Sequence, residues 1–218
     1  MPRELAFLHT AEVHVQTFDA LLAETAPAIR ARHAVQPQLL AEAKAAGGID
    51  AGLAQRIRDA MDAAAGENAG VVVCTCSTIG GVAEDMEGTR PYRAMRIDRA
   101  MADHAVRCGP DILVVAALDS TLAPTAALIR SSAQRIGRDV RLRHVLLADA
   151  WAHFERGDSA AYLAAVADAV RADAGPKDVV VLAQASMAAA AAQCAGMPVP
   201  VLASPRLGVE AAVRALRD

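Results

Sequence analysis

Aromatic residues are scarce in this sequence, which has three Phe, two Tyr and one Trp among its 218 residues. It therefore has few side chains on which nucleic-acid bases or sugar rings could stack. A basic stretch is missing too, because 22 Lys and Arg are balanced by 25 Asp and Glu to give a net charge of −3. The composition argues against a nucleic-acid partner.

Long apolar runs are also absent, since polar residues interrupt each of them well short of the about 20 residues that a membrane-spanning helix needs. The first ten residues hold too short an apolar run for a signal peptide, so we expect no membrane partner and a cytoplasmic location. The four cysteines lack both the paired spacing of zinc sites and the pattern of a small disulfide-bonded domain. Because the six histidines are scattered as well, the sequence predicts reduced thiols and no metal site.

Hydrophobic residues make up 54% of the chain, and Ala, Val and Leu supply most of them. Short apolar runs alternate with segments of helical periodicity along the whole sequence, which is typical of a doubly wound, mainly parallel α/β fold. In such folds the functional sites lie at the carboxyl ends of the strands. The predicted strands are residues 5–8, 71–73, 111–117, 140–147, 178–183 and 199–202, while residues 33–37 are predicted as a connector or a short extended segment and residues 90–98 as less regular.

The most informative stretch is Val71-Val72-Val73-Cys74-Thr75-Cys76-Ser77-Thr78-Ile79-Gly80-Gly81. A β-branched run that ends in thiols, hydroxyls and two glycines indicates a buried strand that leads into a helix N-terminus. Free N–H groups there would hold a carboxylate or phosphate and would favour the thiolate of Cys76. The alternative is a buried structural cysteine in an ordinary turn, which is also the interpretation of Cys74.

An internal repeat relates this stretch to a second one. At an offset of 108 residues, Val71-Val72-Val73 aligns with Val179-Val180-Val181, and Cys76 aligns with Gln184. The same offset aligns residues 5–8 with residues 113–116. The repeat predicts two similar α/β lobes, with Cys76 on one wall of a cleft and Gln184 on the other.

These motifs resemble those of the aspartate/glutamate/hydantoin racemase superfamily. Cys76-Ser77-Thr78 is similar to its Cys-Asn-Thr motif, and Leu182-Ala183-Gln184-Ala185-Ser186-Met187-Ala188 is similar to the motif that carries its second cysteine. The resemblance implies two pseudo-symmetric lobes, each a mainly parallel sheet flanked by helices, with the site in the cleft between them. We expect lobe 1 at residues 1–98, with residues 204–218 packing back on it, and lobe 2 at residues 99–203.

The sequence departs from this family at Gln184, where the second cysteine is expected. An amide neither takes nor gives a proton at neutral pH, so two-thiol racemisation is in doubt. Chemistry with one acid/base stays open: decarboxylation of a malonate-like diacid followed by protonation, an isomerase or lyase step, or one-sided proton exchange. The resemblance implies that no cofactor is needed and that the partner is a small carboxylate; a homo-oligomer stays open.

The candidate catalytic residues are Cys76 as proton carrier, Gln184 as a hydrogen-bond donor to substrate, and His9 as a proton source or relay. Helix capping is the alternative for Ser120 and Thr121, backbone bonding for Gln184, and a structural role for His9. Arg90, Arg93 and Arg96 could face a carboxylate substrate; the alternatives are a solvated face and a structural pair of Arg96 with Asp98. The candidate substrate-binding residues are Thr10, Ser77, Thr78, Ser120, Thr121, Ala185 and Ser186.

Three functions are compatible with these residues. The first is a cofactor-independent enzyme of the isomerase or lyase type that transfers a proton at the carbon next to a small carboxylate. The second is a non-catalytic binder of small carboxylates on a racemase scaffold. The third is a nucleotide-binding α/β protein, which no G-x-G-x-x-G or Walker pattern supports.

Overall fold

The computed structural model describes residues 4–218, which form two compact units. The first lobe runs to Asp98 and also includes Pro205–Asp218, and the second lobe is Arg99–Ser204. Each lobe contains a four-stranded parallel sheet flanked by helices, so the predicted fold class is confirmed.

The two sheets share one strand order. In the first lobe it is β2-β1-β3-β4 and in the second β6-β5-β7-β8, and every neighbouring pair is parallel. The central strands are apolar on both faces, as expected of parallel strands that are covered on both sides. The strands are β1 (Glu4–His9), β2 (Ala31–Val35), β3 (Ala69–Cys74), β4 (Arg93–Arg96), β5 (Asp111–Ala116), β6 (Arg141–Leu146), β7 (Val179–Leu182) and β8 (Val201–Ala203).

Helices connect these strands, and their ends carry ordinary local signals. Pro37 begins the second helix and Gly47, at a φ of 65°, ends it. The Asp50 carboxylate caps the third helix by accepting a hydrogen bond from Leu53 N at 2.7 Å. The α-helices are α1 (Val13–Thr25), α2 (Pro37–Ala46), α3 (Ala51–Ala65), α4 (Gly80–Glu84), α5 (Arg99–Cys108), α6 (Asp119–Arg135), α7 (Ala148–Glu155), α8 (Ser159–Asp173), α9 (Ala190–Gln193) and α10 (Ser204–Arg217).

The sheet of the first lobe is buried on both faces, and the alternation of side chains along its strands decides which residues meet which helices. Leu8 and Cys74 belong to the core on the face that α2, α3 and α4 cover. Phe7 and Val73 belong to the core on the opposite face, which α1 and α10 cover. The same alternation places successive polar residues after β1 and after β3 on opposite faces of the sheet.

Three segments are more regular than the sequence predicts. β2 overlaps the segment predicted as a connector or a short extended segment, the segment predicted as less regular contains β4, and no helix was predicted where α7 lies. β2 is a half-exposed edge strand and β4 carries an arginine at each end, so neither has the apolar run that identifies a buried strand. Pairing with β1 and β3, which the sequence alone does not show, makes them strands. Within residues 4–218, no helix is both long and apolar enough to cross a membrane.

Candidate functional site

Cys76 lies just beyond the carboxyl end of β3. The backbone around it is held from both sides, because Thr75 N donates to Leu8 O at 3.0 Å and Ile97 N donates to Cys74 O at 2.9 Å. The Cys76 side chain is partly exposed and packs against the core on the α2–α4 face. We call residues 75–79, between β3 and α4, the Cys76 turn.

Three neighbours hydrogen bond to the Cys76 sulfur: Thr10 through its side chain, Thr78 through both its side chain and its backbone, and Ile79 through its backbone. These bonds lower the pKa of the Cys76 thiol, but burial raises it more, so that the pKa lies above its ordinary value. The backbone N–H groups of the turn thus favour the thiolate, as expected, but burial outweighs them and the net shift of the pKa is upward. α4 has only five residues and begins at Gly80, and Cys76 is a protonated thiol at neutral pH.

Cys74 is fully buried, and its Sγ lies 3.7 Å from the carbonyl oxygen of Cys76. Burial raises the pKa of its thiol far above the usual range. Cys74 is thus a packing residue, as predicted. Ser77 and Thr78 are also buried, at 4% and 5% exposure, and Thr78 hydrogen bonds to the Cys76 sulfur.

The three arginines near β4 each pair with a carboxylate of the first lobe. Arg90 Nε lies 2.8 Å from Asp62 Oδ1, Arg93 Nε lies 3.6 Å from Glu87 Oε1, and Arg96 Nε lies 2.7 Å from Asp98 Oδ1. Arg96 and Asp98 are both buried, at 5% and 1% exposure. The structural pairing, not a substrate-facing arginine cluster, is the alternative that the structure confirms.

His9 lies in a cluster of histidines and aromatic rings. Its Nδ1 is 2.8 Å from Thr75 Oγ1 and its Nε2 is 2.8 Å from His33 Nδ1, while the Phe18 ring packs 5.3 Å away between centroids. Phe18 belongs to the core on the α1 face, whereas Cys76 packs on the other face. Burial and the nearby histidines lower the pKa of His9 to about 3, so its ring is neutral at pH 7. These contacts favour the structural alternative for His9 over a proton source.

In the second lobe, Gln184 follows β7 and is 8% exposed. Its Oε1 accepts a hydrogen bond from Ala117 N at 2.6 Å. Gln184 is therefore bonded to the backbone, which is the alternative role that the sequence suggested for it. This hydrogen bond orients the amide, whose NH₂ group is its donor. The segment after it is a single 3₁₀ turn, Ala185–Met187.

The other predicted residues of this lobe have distinct surroundings. Ser186 Oγ lies 2.9 Å from the hydroxyl of Tyr162, a buried residue on α8 that was not among the predicted site residues. α6 has Leu118 at its N-cap without a side-chain cap, so capping by Ser120 or Thr121 is wrong. Within the described residues, the buried Ser120 Oγ has no hydrogen-bond partner. No local signal in the sequence marks Tyr162 beyond its place on an amphipathic helix.

The strand registers show how the two lobes correspond. Thr75 N donates to Leu8 O in the first lobe, and Ala183 N donates to Val115 O in the second. β3 and β7 therefore correspond at an offset of 108, which pairs Cys76 with Gln184, while β1 and β5 correspond at 107. The single offset predicted for both strand pairs is thus wrong by one residue for β1.

This corrected correspondence pairs Thr10 with Ala117. Thr10 bonds to Cys76 through its side chain, and Ala117 bonds to Gln184 through its backbone N–H. Within each lobe the residue that follows the central strand therefore supports the side chain that ends the neighbouring strand. Among residues 4–218, no group of three or more His, Cys, Asp or Glu side chains could hold a metal ion.

The two-lobed architecture is the fold of amino-acid and allantoin racemases. Glutamate racemase RacE1 from Bacillus anthracis superposes with a TM-score of 0.69 at 11% identity, over 99% of this chain and 82% of that chain. Allantoin racemase from Klebsiella pneumoniae gives 0.67 at 17% identity, over 99% and 88%. Aspartate racemase from Picrophilus torridus gives 0.64 at 12% identity, over 98% and 94%. No protein-family model and no curated protein matches the sequence.

Proposed function

We propose that this protein is a cofactor-independent enzyme that transfers a proton at the carbon next to a small carboxylate, with Cys76 as its acid/base. The observation that carries the proposal is the hydrogen bonding of Thr10, Thr78 and Ile79 to the Cys76 sulfur at a strand end. Donors aimed at a sulfur lower the cost of the thiolate that forms when the thiol gives up its proton. The fold shared with glutamate and aspartate racemases supports the same substrate class.

The protonated resting state of Cys76 favours a reaction in which the thiol acts first as an acid. For a malonate-like diacid, the bond between the α-carbon and one carboxylate breaks and carbon dioxide leaves. The electron pair stays on the α-carbon as an enolate, and the Cys76 S–H donates its proton to that carbon. Solvent then returns a proton to the thiolate, so the step needs no oxidant and no second thiol.

Within the second lobe, Gln184 is proposed as a hydrogen-bond donor to a carboxylate. Because Ala117 N holds Oε1 at 2.6 Å, the amide is fixed with its NH₂ group as the free donor. A fixed donor can stabilise a carboxylate or the charge that develops on an enolate.

Proton NMR in D₂O tests the proposal across a panel of amino acids, hydantoins, malonates and maleate. We expect deuterium gain at one α-carbon or loss of carbon dioxide with the wild-type protein, and a decrease of at least about 100-fold in Cys76→Ala, as is typical when an acid/base is removed. Cys108→Ala is the matched control, since Cys108 is an exposed cysteine on α5. Equal turnover by Cys76→Ala and the wild type would show the assignment to be wrong.

A non-catalytic carboxylate binder is the alternative that the amide at position 184 favours, because an amide binds but does not exchange protons. It predicts that the NMR signals of one compound broaden or shift on binding, while the signals of its α-protons persist in D₂O. Binding without exchange, in both the wild type and Cys76→Ala, would replace the enzyme proposal with this one.

A further inference from the structure

Arg96 is the last residue of β4 and pairs in register with Cys74. Its guanidinium is buried and holds the Asp98 carboxylate with two hydrogen bonds, Nε to Oδ1 at 2.7 Å and Nη2 to Oδ2 at 3.0 Å. Its third nitrogen, Nη1, lies 3.7 Å from Glu84 Oε2 on α4. The orientation of the Arg96 side chain is therefore fixed by two carboxylates, one on α4 and one in the connection that follows β4.

The same guanidinium touches the Cys76 turn and the start of α4. Arg96 Nη2 lies 3.5 Å from Ser77 O, and a Cβ placed on Gly80 would lie 3.2 Å from Arg96 Cβ and 3.3 Å from its Nε. A Cβ on Gly81 would meet Nη1 at 3.9 Å. Glycine at position 80 thus lets the backbone rest directly on the arginine.

The second lobe, whose residues are all described, lacks this support at the corresponding positions. Because Leu182 pairs with Ala203 as Cys74 pairs with Arg96, Arg96 corresponds to Ala203, and Asp98 corresponds to Pro205, the residue that directly follows the second lobe. Neither Ala203 nor Pro205 has a side chain that can form an ion pair. The buried Arg96–Asp98 pair is therefore present in the lobe that carries Cys76, and the corresponding positions beside Gln184 lack such a pair.

Taking Cys76 as the acid/base of the proposed function, we propose that Arg96 and Asp98 are positioning residues. They hold the Cys76 turn and the first residues of α4 against the sheet, so that the backbone N–H groups of Thr78 and Ile79 stay directed at the Cys76 sulfur. A planar guanidinium with several fixed donors suits this task, whereas a lysine ammonium does not.

This role makes a specific claim about how Cys76 ionises. If the turn moves away from the arginine, Cys76 loses hydrogen bonds that favour its thiolate, so the thiolate forms at higher pH. The charged and titratable groups around the turn in this lobe are Arg96, Asp98, Glu84, Cys74 and His9, whose Nδ1 lies 2.8 Å from Thr75 Oγ1. Loss of the positive charge alone would act in the same direction, and therefore the test needs variants that keep the charge.

The experiment follows alkylation of Cys76 by iodoacetamide against pH in the full-length protein, with fragment mass spectrometry to separate Cys76 from Cys74. Arg96→Lys keeps the charge but loses the paired geometry, and Gly80→Ala keeps Arg96 but pushes the turn away from it. We expect both variants to move the alkylation midpoint upward by at least about 0.5 pH unit, which is about a threefold lower rate below the midpoint.

Arg93→Lys and Gly48→Ala are the matched controls, because Arg93 makes a longer, exposed contact with Glu87 and a Cβ on Gly48 meets nothing within 4 Å. Both should keep the wild-type midpoint. A wild-type midpoint in Gly80→Ala overturns the proposal, whether or not Arg96→Lys folds. A lower melting temperature with an unchanged midpoint means that the pair is merely structural, and a wild-type midpoint in folded Arg96→Lys means that charge alone matters.

The alkylation experiment uses no substrate, so its result is independent of the exchange experiment. If no compound exchanges deuterium but the midpoint shifts as expected, the proposed function fails and the positioning role stands. If exchange depends on Cys76 and the midpoint does not shift, the reverse is true.

Discussion

At the scale of single residues, Cys76 and Gln184 occupy corresponding places at the ends of β3 and β7 but have different chemistry. The thiol can give and regain a proton, while the amide can only hydrogen bond. Their environments follow this difference. Cys76 receives hydrogen bonds from Thr10 and from its own turn, whereas Gln184 uses its oxygen to accept from Ala117 N.

The hydrogen bond between Gln184 and Ala117 predicts a measurable effect on stability. Gln184→Leu leaves the buried Ala117 N–H without its acceptor, so we expect the free energy of unfolding to fall by about 1–3 kcal/mol. Urea denaturation followed by circular dichroism measures this change. Gln193→Leu, the same substitution at an exposed position of the same lobe, should stay within about 0.5 kcal/mol of the wild type. Equal losses in the two variants would contradict the assigned hydrogen bond.

At the scale of elements, α10 packs closely on the end of β4 within the first lobe. A Cβ on Gly208 would lie 2.3 Å from Ile97 O and 2.4 Å from Ile97 Cδ1, distances that real Cβ atoms do not reach. Val209 and Val213 of the same helix lie in the core beside Phe7. Glycine is thus needed for close helix–strand contact, not for a turn.

Gly208→Ala sets helix propensity against this contact. Alanine favours a helix by about 1 kcal/mol over glycine, while overpacking costs about 1–3 kcal/mol, and here the obstacle is a backbone oxygen that cannot turn aside. We therefore expect a net loss of stability and a lower melting temperature, measured by calorimetry. Gly48→Ala, in open space, should change little. A more stable Gly208→Ala protein would show that α10 can shift away from β4 without cost.

At the scale of the whole molecule, buried histidines couple stability to pH. Burial lowers the pKa of His9 to about 3 and that of His14 to about 4, from an ordinary value of 6.5. Between these values the unfolded chain binds more protons than the folded chain, so stability falls as the pH falls below 6.5. Carboxyl groups with lowered pKa values, such as Asp62 and Asp158, lose their contribution only below about pH 4.

The interval from pH 7 to pH 5 therefore isolates the histidines. Because both folded pKa values lie below 5, each histidine contributes a loss of about 2 kcal/mol over this interval. Urea unfolding at the two pH values should show a loss of about 4 kcal/mol in the wild type and about half of that in His14→Gln. His144→Gln, at an exposed position, should keep the full loss. The same loss in His14→Gln as in the wild type would contradict this assignment.

The α/β class, most of the buried strands and the thiol at the end of β3 could be predicted from the amino-acid sequence alone. Continuous apolar runs and thiol or hydroxyl side chains that follow them are local features, and they persist in any fold that buries those runs. The repeat also identified the correspondence of Cys76 with Gln184, because β3 and β7 carry the same three valines.

Which side chains contact one another depends on the tertiary structure. The edge strands β2 and β4 lack an apolar run and depend on pairing, and the registers revealed the offset of 107 that brings Thr10 into correspondence with Ala117. The pairing of Arg96 with Asp98 beneath the Cys76 turn, and the burial that keeps Cys76 protonated, arise from contacts between segments distant in sequence. Hydrogen bonds and desolvation depend on such neighbours, so periodicity along the chain does not encode them.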